Sequence, residues 1–109
     1  MERFVKGDVV VIPFPFSNLT DYKKRPALVI SNPVAGDVLL IQITSKKTSN
    51  LCVKLIDKDF SKGSLHMDSF VKINKLFSAD INMILHKIGN LNKHKLSEVE
   101  TKLIQFIKS

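Results

Sequence analysis

The chain has one cysteine, Cys52, among its 109 residues. A lone thiol cannot close an internal disulfide, and with no Cys or His partner at ligand spacing it cannot anchor a zinc site, so Cys52 is expected to serve as a small buried hydrophobe. Long apolar runs are missing too: nothing approaches the roughly 20 residues that span a bilayer, and Met1-Glu2-Arg3-Phe4-Val5-Lys6 lacks the apolar stretch of a secretory signal. A cytoplasmic location, away from membranes, is expected. There is no repeat, low-complexity tract or Pro/Gly/Ser-rich linker, and the length suits one core rather than two, so residues 1–109 are read as a single domain. Acidic residues are scarce, with 10 Asp and Glu against 17 Lys and Arg, for a net charge of +7. Such a surface attracts polyanions, and nucleic acid fits better than a membrane because no basic amphipathic helix stands out. Charge alone does not decide the matter, since basic proteins that bind no nucleic acid are common.

With 44% hydrophobic and 25% charged residues, the composition is that of a folded unit. About the first seventy residues alternate short, β-branched apolar runs with turn-forming clusters, the pattern of a compact β unit. Strands are expected near residues 8–14, 27–32, 37–45, 52–57 and 66–73, with a weaker one near 84–88. Pro33-Val34-Ala35-Gly36-Asp37 and Ser61-Lys62-Gly63-Ser64 read as tight turns. Residues 15–24 read as a long polar loop, the kind of segment that carries function on a rigid sheet. Towards the C-terminus the period changes: Leu96, Val99, Leu103 and Phe106 recur at helical spacing, with Asn92 as N-cap and Gly89 separating helix from strand. The fold class is therefore mainly β (α+β), a small barrel with a C-terminal amphipathic α-helix.

Two dipeptides stand out chemically. In Arg25-Pro26 the proline disfavours the α region for the residue before it, so Arg25 should be extended at the mouth of the barrel. Its planar fork of donors matches two phosphate oxygens and suits an anionic phosphorane transition state. The same dipeptide also fits a surface arginine at a loop end. Thr44-Ser45 follows the apolar strand Val38-Leu39-Leu40-Ile41-Gln42-Ile43. Adjacent hydroxyls there can hydrogen-bond a phosphate, although Ser and Thr also end strands simply as good turn residues.

Taken in order, Gly7-Asp8-Val9-Val10 with Pro13-Phe14, Lys24-Arg25-Pro26-Ala27-Leu28-Val29-Ile30-Ser31, Ile43-Thr44-Ser45 and Asp68-Ser69-Phe70-Val71-Lys72-Ile73 resemble the MazF/PemK toxins of toxin–antitoxin systems. The resemblance covers essentially the whole chain. It implies an SH3-like, CcdB-like barrel and a metal- and cofactor-independent endoribonuclease. Such an enzyme cuts single-stranded RNA by 2′-hydroxyl attack, leaving a 2′,3′-cyclic phosphate and a 5′-hydroxyl. It further implies a cognate antitoxin protein and a homodimer. Carried over by position, Arg25 and Thr44 become catalytic, while His66 and Asp68 fall where some relatives have an acid and base.

Strand alternation predicts His66, Asp68, Phe70 and Lys72 on one face. With an unperturbed pKa of roughly 6.5 against above about 12 for arginine, histidine is the better proton donor. This reading makes His66 the acid and Asp68 the base, with Arg25 as electrostatic clamp and Thr44 as positioner. Pairing of Asp68 with a lysine, and a sheet-edge position for His66, remain alternatives. Tyr22, Lys23, Lys24, Ser45 and Lys46 are candidate RNA-binding residues, with Tyr22 able to stack on a base or to pack its loop. The resemblance fails in residues 17–24, where Asp21 is the one acidic group in place of a Gly- and Glu-containing loop. Two other classes remain: a non-catalytic, CcdB-like toxin acting by protein contact, and a basic RNA-binding barrel without chemistry.

Overall fold

A computed structural model of the chain describes residues 3–15 and 22–109. Among these are seven strands, β1 (Asp8–Pro15), β2 (Tyr22–Val29), β3 (Asp37–Thr44), β4 (Cys52–Leu55), β5 (Phe60–Gly63), β6 (Ser69–Asp80) and β7 (His86–Leu91), and one helix, α1 (Lys93–Lys108). The strands form one antiparallel sheet in the order β4-β6-β3-β2-β1-β7-β5.

That order forces the sheet to curl. The two edge strands, β4 and β5, are joined only by residues 56–59, which contain a short 3₁₀ turn. Such a connection reaches at most about 18 Å, whereas the edges of a flat seven-stranded sheet would lie about 29 Å apart. The result is a half-barrel with an apolar cluster on each face. One cluster joins Val9, Leu28, Ile41, Ile43, Val53, Leu55, Val71 and Ile73 to Val99 and Leu103 of α1. The other gathers Val10, Ile12, Ala27, Val29, Val38 and Leu40, with Phe14 and Phe77 packed against it. The consecutive run Ala27-Leu28-Val29 feeds both clusters, which is why β2 reads as unbroken apolar sequence.

The helix is the element most directly written in the sequence. The Asn92 side chain accepts the Lys95 N–H at 2.8 Å and satisfies one of the orphan donors of the first turn. Fully burying Val99 against the sheet is worth about 1.5–3 kcal/mol. The turn after Pro33 is a two-residue hairpin in which Val34 and Asp37 exchange hydrogen bonds at 2.9 and 3.0 Å. Ala35 and Gly36 both adopt positive φ there, 53° and 84°.

Several boundaries differ from expectation. Residues 22–24 belong to β2 and not to a loop, and β6 begins at Ser69 and runs on to Asp80. Ser61-Lys62-Gly63, expected as a turn, is part of strand β5, and Gly89 lies inside β7 directly opposite Gly63. A Cβ on Gly89 would stand 2.2 Å from the Lys62 carbonyl oxygen, so only glycine allows the two backbones to approach this closely.

Candidate functional site

Pro26 opens the sheet. Ile30 donates its N–H to Leu39 O at 2.9 Å, so the alternate backbone positions 28 and 26 also face β3. Proline has no N–H to offer at the last of these. Accordingly the β2–β3 ladder ends at Ala27↔Gln42, while β2 stays paired with β1 back to Tyr22. The same offset carried two residues further sets Arg25 across the split from Thr44.

Two cavities meet at that split. The larger, 520 Å³, is lined by Phe14, Gln42, Lys72, Asn74, Lys75, Leu76 and Phe77 together with Arg25 and Thr44. The second, 280 Å³, is lined by Lys23, Lys24, Pro26, Ile43, Ser45 and part of the segment before β6, again with Arg25 and Thr44. Both shared residues are half-buried. Partial desolvation strengthens what a guanidinium can do for an anion, and among the described residues no Asp or Glu lines either cavity. The Thr44 hydroxyl oxygen accepts the Lys46 N–H at 3.3 Å, which leaves its own proton to donate.

The lysines on the far wall come from an irregularity that sequence reading missed. Between the pairs Ile41↔Leu76 and Ile43↔Val71, the single residue Gln42 is opposed by residues 72–75 of β6. The extra backbone pushes out from the ladder and brings Lys72, Asn74 and Lys75 to the cavity. A signal was present: in Val71-Lys72-Ile73-Asn74, Val71 and Ile73 are buried, so Lys72 and Asn74 must face the other way.

The structure gathers Arg25, Thr44, Lys23, Lys24 and Ser45, but Lys46 lines neither cavity and contributes its backbone instead. Residues 16–21, and with them Asp21, lie outside the described residues, as does the ring of Tyr22, whose backbone pairs with Pro15. The expected common face of His66, Asp68, Phe70 and Lys72 is corrected. His66 precedes β6 in a turn at φ 60°, its N–H held by Ser64 Oγ at 2.8 Å, so alternation does not extend back to it. His66 lines clefts with His86 on one side and with Asp57 and Asp68 on the other, and neither holds Arg25 or Thr44. Asp68 is exposed and 3.6 Å from Lys54 Nζ.

Cys52 is half-buried rather than a core residue, and it stands opposite Lys72 across β4 and β6. Burial alone would push its thiol up, but hydrogen bonds from Thr48 and Ser49 outweigh this and hold it below the usual thiol value. Among the described residues no three or more His, Cys, Asp or Glu side chains group to hold a metal ion, and no helix is long and apolar enough to cross a membrane.

No curated protein matches the chain significantly in sequence. Solved structures do resemble it. A MazE–MazF complex from Deinococcus radiodurans contains a chain that is 22% identical, with a TM-score of 0.78 and coverage of 99% of this chain and 98% of that one. MazF from the same organism is 22% identical with a TM-score of 0.77, over 100% of both chains. An endoribonuclease in complex with its cognate antitoxin, from a mycobacterial species, is 16% identical with a TM-score of 0.75, over 99% of this chain and 96% of that one. At these identities the likeness establishes the fold. The family model for PemK-like, MazF-like toxins of type II toxin–antitoxin systems matches residues 5–107, and the chain belongs to that family.

Proposed function

We propose that this chain is the ribonuclease of a toxin–antitoxin pair and cleaves single-stranded RNA without a metal ion. The observation that supports this reading is the position of Arg25 and Thr44, the only described residues common to the two cavities at the split in the sheet. A strand of RNA crossing from one cavity to the other would carry its phosphate past both.

In the proposed reaction the 2′-hydroxyl loses its proton and attacks the adjacent phosphorus. The new P–O2′ bond forms as the P–O5′ bond breaks, and the departing 5′-oxygen takes up a proton. The products are a 2′,3′-cyclic phosphate and a 5′-hydroxyl. Negative charge grows on the non-bridging oxygens as the phosphorane forms, so the Arg25 fork stabilises the transition state more than the ground state. Thr44 donates its hydroxyl proton to one of the same oxygens and fixes the phosphate in place. Lys23, Lys24 and Ser45 receive the neighbouring backbone. An acid or base must lie within hydrogen-bond reach of the reacting oxygens. Because His66 and Asp68 line neighbouring clefts, the proposal rests on Arg25 and Thr44 and assigns proton transfer to neither of them.

The proposal extends to this chain a cognate antitoxin protein, whose acidic segments the +7 charge would attract, and a homodimeric state. Incubating the purified protein with single-stranded RNA in EDTA tests the nuclease reading. Fragments ending in cyclic phosphate are expected from the wild type and not from Arg25→Ala or Thr44→Ala. RNA left intact by the wild type would overturn the reading and favour a toxin acting by protein contact.

A further inference from the structure

The larger cavity has a composition that phosphate binding alone does not explain. Phosphate oxygens require donors, and Arg25, Lys72 and Lys75 supply them. Beside these cations stand two carboxamides, Gln42 and Asn74, and two aromatic rings, Phe14 and Phe77. The rings meet edge to face, with centroids 4.9 Å apart and planes inclined at 69°. Both are half-buried, so each is fixed by the apolar cluster behind it while remaining part of the cavity wall.

A carboxamide presents one donor and one acceptor side by side, the pattern found on the edge of a nucleobase. An aromatic face stacks on any base, whereas a carboxamide pair distinguishes among bases. Resting on the nuclease reading, we infer that the cavity between β3 and the pushed-out segment of β6 seats one nucleobase of the RNA beside the phosphate held by Arg25 and Thr44. Phe14 and Phe77 form the stacking wall, Gln42 and Asn74 read the base edge, and Lys72 and Lys75 hold the adjoining phosphate.

The placement of the two carboxamides gives this assignment its sharpness. Gln42 is the one β3 residue facing the four-residue excursion of β6, and Asn74 lies within that excursion. They therefore approach the cavity from opposite walls. Among the described residues that line the cavity none is a carboxylate, and the carboxamide oxygens are side-chain acceptors for an exocyclic amino group there, beside the Thr44 hydroxyl. On the edge that carries N7 and N6, adenine accepts and donates at neighbouring atoms, and it is there that a bidentate Gln or Asn pairs with it.

The test uses randomised 2′-fluoro RNA, which lacks the attacking hydroxyl, so that binding is read without cleavage. Wild type, Gln42→Glu and Asn74→Asp are each used to select bound sequences. The substitutions are nearly isosteric at half-buried and exposed positions, so the fold is retained. Wild type is expected to enrich adenine at one position, and each variant to change that enrichment on the order of tenfold with the other positions unaltered. Three results would overturn the assignment: no base preference in the wild type, the same profile in all three proteins, or a change spread evenly over every position. A preference that shifts at one position, combined with failure of the wild type to cut ordinary RNA, would leave the base seat standing and remove the nuclease reading instead.

Discussion

Arg25 of β2 and Thr44 of β3 face each other across the place where those strands part, and each lines both cavities that meet there. If the pair holds the scissile phosphate, its two members should fail differently. Arg25→Ala should lower the cleavage rate by about 10²–10³-fold, the usual cost of removing a donor from a developing oxyanion. Arg25→Lys, which keeps the charge and loses the fork, should remain well below wild type. Thr44→Ser should retain most activity and Thr44→Ala little. Single-turnover cleavage of one RNA by the four variants checks this, and equal rates for Thr44→Ser and Thr44→Ala would remove the hydroxyl from the mechanism.

Pro26 yields a less intuitive prediction. Pro26→Ala would supply an N–H on the side facing β3 and allow the ladder to continue past Ala27. Stability should be unchanged or higher, while the two cavities narrow and cleavage falls several-fold. Thermal midpoint and cleavage rate measured together test the idea. Lower stability with full activity would mean that proline is tolerated here and does not hold the split open.

The part of the site carried by local backbone chemistry was legible in advance. Arg25-Pro26 declares an extended arginine, Thr44 closes an apolar run, and Asn92 caps a periodic helix. What escaped depends on residues far apart in sequence. Strand β5 is polar and lacks alternation, and it is identified by the approach of Gly63 to Gly89 across the sheet. The excursion at residues 72–75 reflects how β6 must accommodate β3, β4 and the curl together. The start of β6 is hidden in the sequence because residues 66–73 read with continuous alternation, whereas the positive φ of His66 places that residue outside the strand.

That positive φ makes His66→Gly a useful variant. An L residue other than Asn or Asp pays roughly 1–2 kcal/mol in the left-handed region, which glycine avoids at an entropic cost of its own. The protein should therefore be stabilised slightly, by about 0.5 kcal/mol, when the imidazole is removed. Cleavage should stay within about twofold of wild type, since Arg25 and Thr44 line other cavities. Loss of activity by this folded variant, together with a lost alkaline limb in the pH–rate profile, would return the proton-donor role to His66.

Gly89 should be among the positions least tolerant of change. A methyl group there meets the Lys62 carbonyl oxygen and the Gly63 Cα, both backbone atoms that no rotamer change can move aside. Gly89→Ala should cost on the order of 2–3 kcal/mol, within the upper range of single substitutions, by detaching β5 from β7. Denaturant unfolding gives the loss in stability, and amide exchange should locate it at residues 60–63. A variant as stable as wild type would show that the two strands can separate at no cost.

Asp8 ties the segment leading into β1 to the neighbouring strand β7. Only 1% exposed, its Oδ2 accepts the Val5 N–H at 2.9 Å and lies 3.2 Å from Lys87 Nζ. The ammonium also donates to Arg3 O at 3.1 Å and lies 5.9 Å from the centroid of the Phe4 ring. Asp8 is buried while the Lys87 side chain is 29% exposed, so removing one member should cost less than the roughly 3–5 kcal/mol of a fully buried pair, and replacing both with apolar groups should cost less still. Asp8→Ala should therefore be destabilising, and in the cycle of Asp8→Ala with Lys87→Met the double variant should lose less than the two single losses combined. Additive losses would show that the backbone contacts to Val5 and Arg3, and not the ion pair, hold this corner together.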